Sequence, residues 1–180
     1  MTKTNEDRWA RTRLLIGQHA VDKLVQSTVV VVGLGGVGSY AAEALARSGI
    51  GRLILVDHDT VNLSNINRQL IALTSTLGRS KVQVMRERVL DINPQCEVAT
   101  HFLRYEPQTH DEIFTIRPDY VVDAIDSVPA KIALISRCVK DGLPIVSSMG
   151  TALHMDPGRF TVADISQTRV CPLARVVRRE

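Results

Sequence analysis

One stretch constrains this chain more than any other. Thr28-Val29-Val30-Val31-Val32 runs directly into Gly33-Leu34-Gly35-Gly36-Val37-Gly38. An unbroken β-branched run reads as a strand covered on both faces, as inside a parallel sheet. Tyr40-Ala41-Ala42-Glu43-Ala44-Leu45-Ala46-Arg47 follows, rich in good helix formers. The glycines therefore occupy a strand-to-helix turn. Gly33 permits the tight turn, Gly35 lets a ligand approach the backbone, and Gly38 packs helix against strand. The helix start offers unpaired N–H groups and the positive end of its dipole, which suit phosphate. Alone, such a loop is equally a tight turn without a ligand. The flanking strand, the helix and a later acid favour nucleotide binding.

That acid is Asp57, which closes the run Arg52-Leu53-Ile54-Leu55-Val56. At the end of a second strand, its carboxylate can accept hydrogen bonds from ribose hydroxyls. The arrangement suits an NAD oxidoreductase and an ATP enzyme alike.

The chain has 180 residues, enough for one α/β domain with a sizeable core. No apolar stretch is long enough to span a bilayer. Met1 to Arg13 is polar and lacks the apolar centre of a signal peptide. Cys96, Cys138 and Cys171 are far apart, with no Cys-x-x-Cys pair, so neither a zinc clip nor a disulfide framework is suggested. A reducing cytoplasm fits this usage. The net charge of +3 permits an anionic partner such as tRNA without demanding one.

Residues 5–26 read as helical, interrupted at Gly17, and form an N-terminal segment (1–26) ahead of the main domain (27–180). Strands and helices then alternate. Helices are expected over Lys81–Leu90, Gln108–Thr115 and Pro129–Lys140. Strands are expected over Glu97–His101, Tyr120–Ala124 and Pro144–Ser148. A last, antiparallel strand is expected over Phe160–Ile165. The alternation predicts a doubly wound, Rossmann-like, mostly parallel sheet with helices on both faces and an antiparallel extension. The chain stops at Arg178-Arg179-Glu180 within an expected helix, which points to a further C-terminal portion.

Sheets of this kind bind ligands beyond the carboxyl ends of their strands. Asp57 and Asp126 both belong there, with Asn65, Arg68 and Lys81 between them in sequence. Arg68 offers a planar fork for phosphate oxygens, Lys81 a point charge and Asn65 a neutral donor. A triphosphate attacked at its α-phosphate needs charge neutralised on the reacting group and on the departing pyrophosphate. Asp126 suits magnesium, which takes a few carboxylates together with phosphate oxygens. Taken singly, each has a plainer role. Arg68 and Lys81 read as solvated helix-end charges, Asp126 as the N-cap of the helix near Pro129, and Asp59 as a turn stabiliser. Their combination is what argues for a site.

Gly33-x-Gly35-Gly36-x-Gly38, Asp57-x-Asp59-Thr60-Val61, Ser64-Asn65-x-x-Arg68-Gln69, Lys81 and Asp126 together resemble the adenylation domain of ubiquitin-activating-enzyme-like proteins. That group includes the bacterial thiamine- and molybdopterin-biosynthesis adenylyltransferases. The resemblance implies use of Mg-ATP to adenylate a carboxylate. It implies a nucleotide site of Gly33, Gly35, Gly36, Gly38, Asp57, Asp59, Asn65, Arg68, Lys81, Asp126 and Ser127. Within that site Asp57 is on the ribose, and Asn65, Arg68 and Lys81 are on the phosphates. Arg68, Lys81 and Asp126 are the implied catalytic residues, and Asp126 lies beside the metal. It further implies a homodimer in which Arg11 reaches the partner subunit's ATP.

Asn65-Ile66-Asn67-Arg68-Gln69, Asp123-Ala124-Ile125-Asp126-Ser127, Ser147-Ser148-Met149-Gly150 and Val170-Cys171-Pro172-Leu173-Ala174 resemble more closely the tRNA threonylcarbamoyladenosine dehydratase branch. That branch also lacks the paired-cysteine zinc site. It implies ATP-dependent cyclisation of a threonylcarbamoyl group on a tRNA adenosine near the anticodon. The alternatives are adenylation of the C-terminus of a ubiquitin-like sulfur-carrier protein and, more distantly, an NAD-dependent oxidoreductase. A sulfur-donor protein is a further possible partner. Cys171 reads as a packing residue, because no adjacent base supports its activation. Arg169, Arg175, Arg178 and Arg179 read as a solvated helix face that is compatible with RNA phosphates.

Overall fold

The computed structural model describes residues 7–151 and 155–180. Five strands form one sheet: β1 (Thr28–Val32), β2 (Arg52–Val56), β3 (Glu97–His101), β4 (Tyr120–Asp123) and β5 (Ile145–Ser147). Their spatial order is β3-β2-β1-β4-β5, and every neighbouring pair is parallel. The chain winds outward from β1 to β3, then returns to place β4 on the other side of β1. The switch point therefore lies between β1 and β4, the place where sheets of this kind form a ligand crevice beyond the strand ends.

The valine run is buried as its composition demands. Val29 and Val31 enter one core, with Ala42 and Ala46 of α3 (Gly38–Ser48) and Val82, Met85 and Val89 of α4 (Lys81–Ile92). Val30 and Val32 enter the other, with Ile113 of α5 (His110–Ile113) and Leu134 and Cys138 of α6 (Val128–Lys140). β2 divides the same way: Leu53 and Leu55 on one face, Ile54 and Val56 on the other. Period-two alternation across a sheet covered on both sides turns a continuous apolar run into two half-cores.

The N-terminal segment forms two helices, α1 (Ala10–Ile16) and α2 (Gln18–Gln26), divided at Gly17, whose φ is +81°. Residues 5 and 6 of the expected helix lie outside the described residues. Among 108–115, a 3-10 turn (Pro107–Thr109) leads into the short α5, so the expected helix is only partly formed. The expected antiparallel strand over 160–165 does not form. Val162 is 95% exposed, and among the described residues no strand pairs with the segment. Asp156 and Asp164 accept hydrogen bonds from the amides of Gly158 and Ser166, turning the chain at both ends. β propensity without a neighbouring strand to pair with yields no strand. The chain then enters α7 (Pro172–Val177), which packs on α6 and buries Ala174. Among the described residues no helix is long and apolar enough to cross a membrane.

His110 sits in the second core, 2% exposed, its ring stacked on Phe114 at 4.1 Å and its Nδ1 3.0 Å from the Tyr105 hydroxyl. Burial, helped by the charge of Arg137, holds its pKa below the ordinary 6.5 against the opposing pull of Asp141 and Asp111. The unfolded chain therefore takes up this proton first, and stability falls as pH drops below 6.5. The expected result is a melting temperature that declines as pH is lowered through that value, with a shallower decline in His110→Asn. Thermal scans across pH check it.

Candidate active site

Two glycines close the crevice floor. Gly33 has φ +89°, and a Cβ there would lie 2.6 Å from the carbonyl oxygen of Ala124. A Cβ on Gly38 would lie 1.7 Å from the carbonyl oxygen of Gly33. The loops after β1 and β4 thus touch at the switch point. Gly35 and Gly36 face other neighbours. A Cβ on Gly36 would meet the carbonyl oxygen and Cγ of Arg68 at 3.4 and 3.6 Å, and one on Gly35 would meet Nε2 of Gln69 at 3.7 Å. The fully buried Ser39 hydroxyl donates to Gly35 O (2.6 Å) and accepts from the amide of Leu70 (3.3 Å). Glycine loop and Arg68–Gln69 segment are therefore one unit. α3 starts here with no side-chain cap, which leaves its first N–H groups for a ligand.

Asp57 is 8% exposed. Its Oδ2 accepts from the amide of Leu34 (2.6 Å) and its Oδ1 from that of Asp59 (2.8 Å). Each carboxylate oxygen keeps a second lone pair for a hydroxyl. Asn65 is buried, and its Oδ1 accepts from the amide of Asn62 (3.0 Å), capping the 3-10 turn Leu63–Asn65. Its NH2 group remains a donor. Arg68 is exposed, with Nη1 donating to Ser64 O (2.8 Å) and Asn67 Oδ1 (3.0 Å). The far side of its fork remains open to an anion.

Lys81 is no solvated helix-end charge. It is 4% exposed, and its Nζ donates to Asp59 Oδ2 at 3.0 Å. Burial works against ionisation of Asp59, but the hydrogen bond and charge of Lys81 outweigh it and hold that carboxyl below its usual range. Asp126 is exposed in the β4–α6 loop, and no hydrogen bond or ion pair among the described residues uses its carboxylate. The N-cap position of α6 belongs to Ser127, whose side chain makes no capping bond. One crevice therefore gathers the glycine loop, Asp57, Asp59, Asn65, Arg68 and Lys81, with Asp126 and Ser127 on the β4 loop.

Arg11 is not gathered. α1 is anchored at the opposite end of the sheet. Trp9 packs on Gly49, the residue after α3, and Arg8 donates to Ile92 O at the end of α4 (3.0 Å). Cys171 caps α7, its Sγ 3.5 Å from the amide of Ala174. Burial pushes the thiols of Cys96 and Cys138 up to about 11, far from nucleophilic form.

Sequence reasoning missed a fully buried charged cluster beside the site. Lys131 Nζ donates to Asp123 Oδ2 (2.7 Å), Ser147 Oγ (3.2 Å) and Ser148 O (3.0 Å), with both charged side chains 0% exposed. Asp123 also accepts from Ser147 Oγ (2.5 Å) and from the amide of Ile125 (3.0 Å). This network joins the end of β5 to the loop carrying Asp126. The only trace in sequence is a lysine on an otherwise apolar face with Leu134 and Cys138. Removing one partner strands a buried charge, so Lys131→Met is expected to cost about 3–5 kcal/mol, seen as a melting temperature lower by roughly 10 °C. Adding Asp123→Asn is expected to recover part of that loss. Calorimetric melting of both variants checks it.

Comparison with known proteins places this geometry. The chain is 50% identical over 171 residues to the tRNA threonylcarbamoyladenosine dehydratase of Bacillus subtilis, covering 95% of this chain and 67% of that protein. The crystal structure of the Escherichia coli tRNA N6-threonylcarbamoyladenosine dehydratase in complex with ATP superposes with a TM-score of 0.93 at 41% identity, over 96% of this chain and 71% of that one. The adenylyltransferase and sulfurtransferase MOCS3 of Drosophila yakuba is 41% identical over 88% of this chain and 35% of its own length. The chain spans about two thirds of the length of the bacterial dehydratases it matches. The model of the ThiF family matches residues 9–175, and the chain belongs to that family.

Proposed function

We propose that this chain is an ATP-dependent tRNA threonylcarbamoyladenosine dehydratase working in the cytoplasm. The observation that carries this reading is the likeness along nearly the whole chain to a dehydratase crystallised with ATP. In this reading the carboxylate of the threonylcarbamoyl group attacks the α-phosphate and expels pyrophosphate. A nucleophile of the same modification then attacks the activated carbonyl, closes the ring and releases AMP. The ring closes within the substrate, so no protein nucleophile is needed, which agrees with Cys171 serving as a cap.

The residues divide the work. Asp57 holds the ribose through its unused lone pairs, and the loop Gly33–Gly38 with the uncapped α3 start cradles phosphates. Arg68 and Lys81 stabilise charge building on the transferring and departing phosphates, and Asn65 donates from its free NH2 group. The exposed, unpartnered Asp126 is a suitable ligand for Mg2+, which combines few carboxylates with phosphate oxygens. When bound, the ion neutralises phosphate charge. Positioning then supplies most of the acceleration.

The working unit in this reading is a homodimer. Leu14 and Leu15 on α1 are 88% and 85% exposed, an apolar surface that a second copy would cover. α1 points away from its own crevice, so Arg11 serves the partner's site. The similarity to MOCS3 favours a second reading, adenylation of a carrier protein's C-terminus.

Pyrophosphate exchange and AMP release, measured with threonylcarbamoylated tRNA and with a Gly-Gly-ended carrier protein, decide between the two. The expected result is turnover with the tRNA alone, reduced at least about 100-fold in Arg68→Ala. Turnover with the carrier only would favour the second reading. Arg11→Ala and Arg68→Ala, each nearly inactive alone, are expected to regain activity when mixed and re-equilibrated as dimers. Lack of recovery would place Arg11 outside the partner's site.

A further inference from the structure

The positive surplus of this chain sits in one place. Of its 22 basic and 19 acidic residues, residues 165–179 hold four arginines and no acid. All other positions together carry 18 basic against 19 acidic side chains. Several arginines of the sheet domain are balanced in place. Arg47 and Arg88 share Glu43, Arg52 meets Glu97, Arg79 meets Glu87, and Arg137 meets Asp111 and Asp141. Of the four arginines in 165–179, Arg178 alone has an internal use. Its Nη1 donates to Thr168 O (2.8 Å) and Thr168 Oγ1 (2.9 Å), tying the approach to α7 to the far end of that helix. Arg169, Arg175 and Arg179 are exposed, and no hydrogen bond or ion pair among the described residues uses their guanidinium groups. Arg175 and Arg179 stand four apart, about one helical turn, where like charges repel. The fold orders a cationic strip without neutralising it.

The strip is anchored at the carboxyl edge of the sheet. The amide of Ser148 donates to Asp123 O at the end of β4 (2.9 Å), three residues before Asp126. A Cβ on Gly150 would lie 3.4 Å from Cys171 Sγ and 3.8 Å from Leu173 Cβ. α7 therefore starts against the segment that leaves the carboxyl end of β5. Its buried Ala174 packs on the side of α6, the helix that follows the Asp126 loop. An extended polyanion on this strip reaches the edge of the sheet at which nucleotide binding is proposed. Guanidinium forks set along one edge suit a row of phosphates. The function proposed above places the reacting carboxylate on an RNA nucleotide, and the backbone around that nucleotide supplies such a row.

We infer that Arg169, Arg175 and Arg179 form a docking strip for the tRNA backbone, contacting its phosphates outside the crevice while the crevice holds the reacting group. This rests on the tRNA reading above and gives that partner a surface. Contacts of this kind are electrostatic and independent of sequence, so the strip sets affinity and orientation and does not select the base.

The test combines Arg175→Gln with Arg179→Gln, both at exposed side chains outside the nucleotide site. A control combines Lys23→Gln on α2 with Arg86→Gln on α4, which removes the same charge from exposed positions elsewhere. Fluorescence anisotropy with an unmodified tRNA transcript is followed across salt concentrations, beside calorimetric titration with ATP. The strip variant is expected to bind tRNA about 10-fold more weakly, with a log–log salt slope shallower by about 2 and unchanged ATP affinity. The control is expected to match the unaltered chain. Equal losses in strip variant and control would reduce the effect to net charge and overturn the strip. Undiminished tRNA affinity in the strip variant would return these arginines to a solvated face. Vesicles containing an anionic lipid form a third arm, and strip-dependent binding to them alone would assign a membrane instead of RNA. The expected loss of tRNA affinity, in a chain that releases no AMP with threonylcarbamoylated tRNA, would uphold the strip and refute the activity alone.

Discussion

The contact between Gly33 and Ala124 is the constraint on which the rest depends. It leaves no room for a side chain, and it brings the turn after β1 against the turn after β4. In a sheet ordered β3-β2-β1-β4-β5, those two turns border the switch point. Gly38 repeats the constraint one turn later by setting α3 on Gly33. The crevice is thus a consequence of winding direction and of two positions that tolerate only hydrogen. Asp57 adds the third support. By accepting from Leu34 it ties the glycine loop to the end of β2, so the acid proposed to hold ribose also shapes the phosphate loop.

Charge is arranged in two layers. The deep layer is satisfied within the protein: Lys131 and Asp123, both fully buried, with the hydroxyl of Ser147. The outer layer is not: Lys81 keeps donors beyond its bond to Asp59, Arg68 has unused donors, and Asp126 has an unused carboxylate. The deep network holds the loops at fixed separation, and the outer groups face whatever enters. Adenylation needs little more than this, because the reaction is governed by placement and by charge on phosphate.

The parts of the fold written in local pattern were legible. The valine run, the glycine spacing and the helix formers after it give β1, its turn and α3 directly, and the alternation that follows gives the parallel sheet. Phe160–Ile165 misled because β propensity says nothing about whether a neighbouring strand exists. The candidate site was legible where residues share a motif, as with Asp57, Asn65 and Arg68. It was illegible where the chemistry lies in burial. Lys81 reads as a surface charge until its 4% exposure is seen, and Lys131 looks like any helix lysine. Burial is set by tertiary packing, and one sequence does not display it. Arg11 shows another limit, because its proposed role requires a second chain.

The central claim is that this crevice is built for a triphosphate to be cleaved rather than for a dinucleotide that carries a hydride. Calorimetric titration of the unaltered protein with ATP in the presence of Mg2+, set beside titration with NAD, tests it most directly. The account predicts saturable binding of ATP and NAD affinity lower by about 10-fold or more, because a dinucleotide places no triphosphate tail against Arg68 and Lys81. NAD binding as tightly as ATP would contradict it.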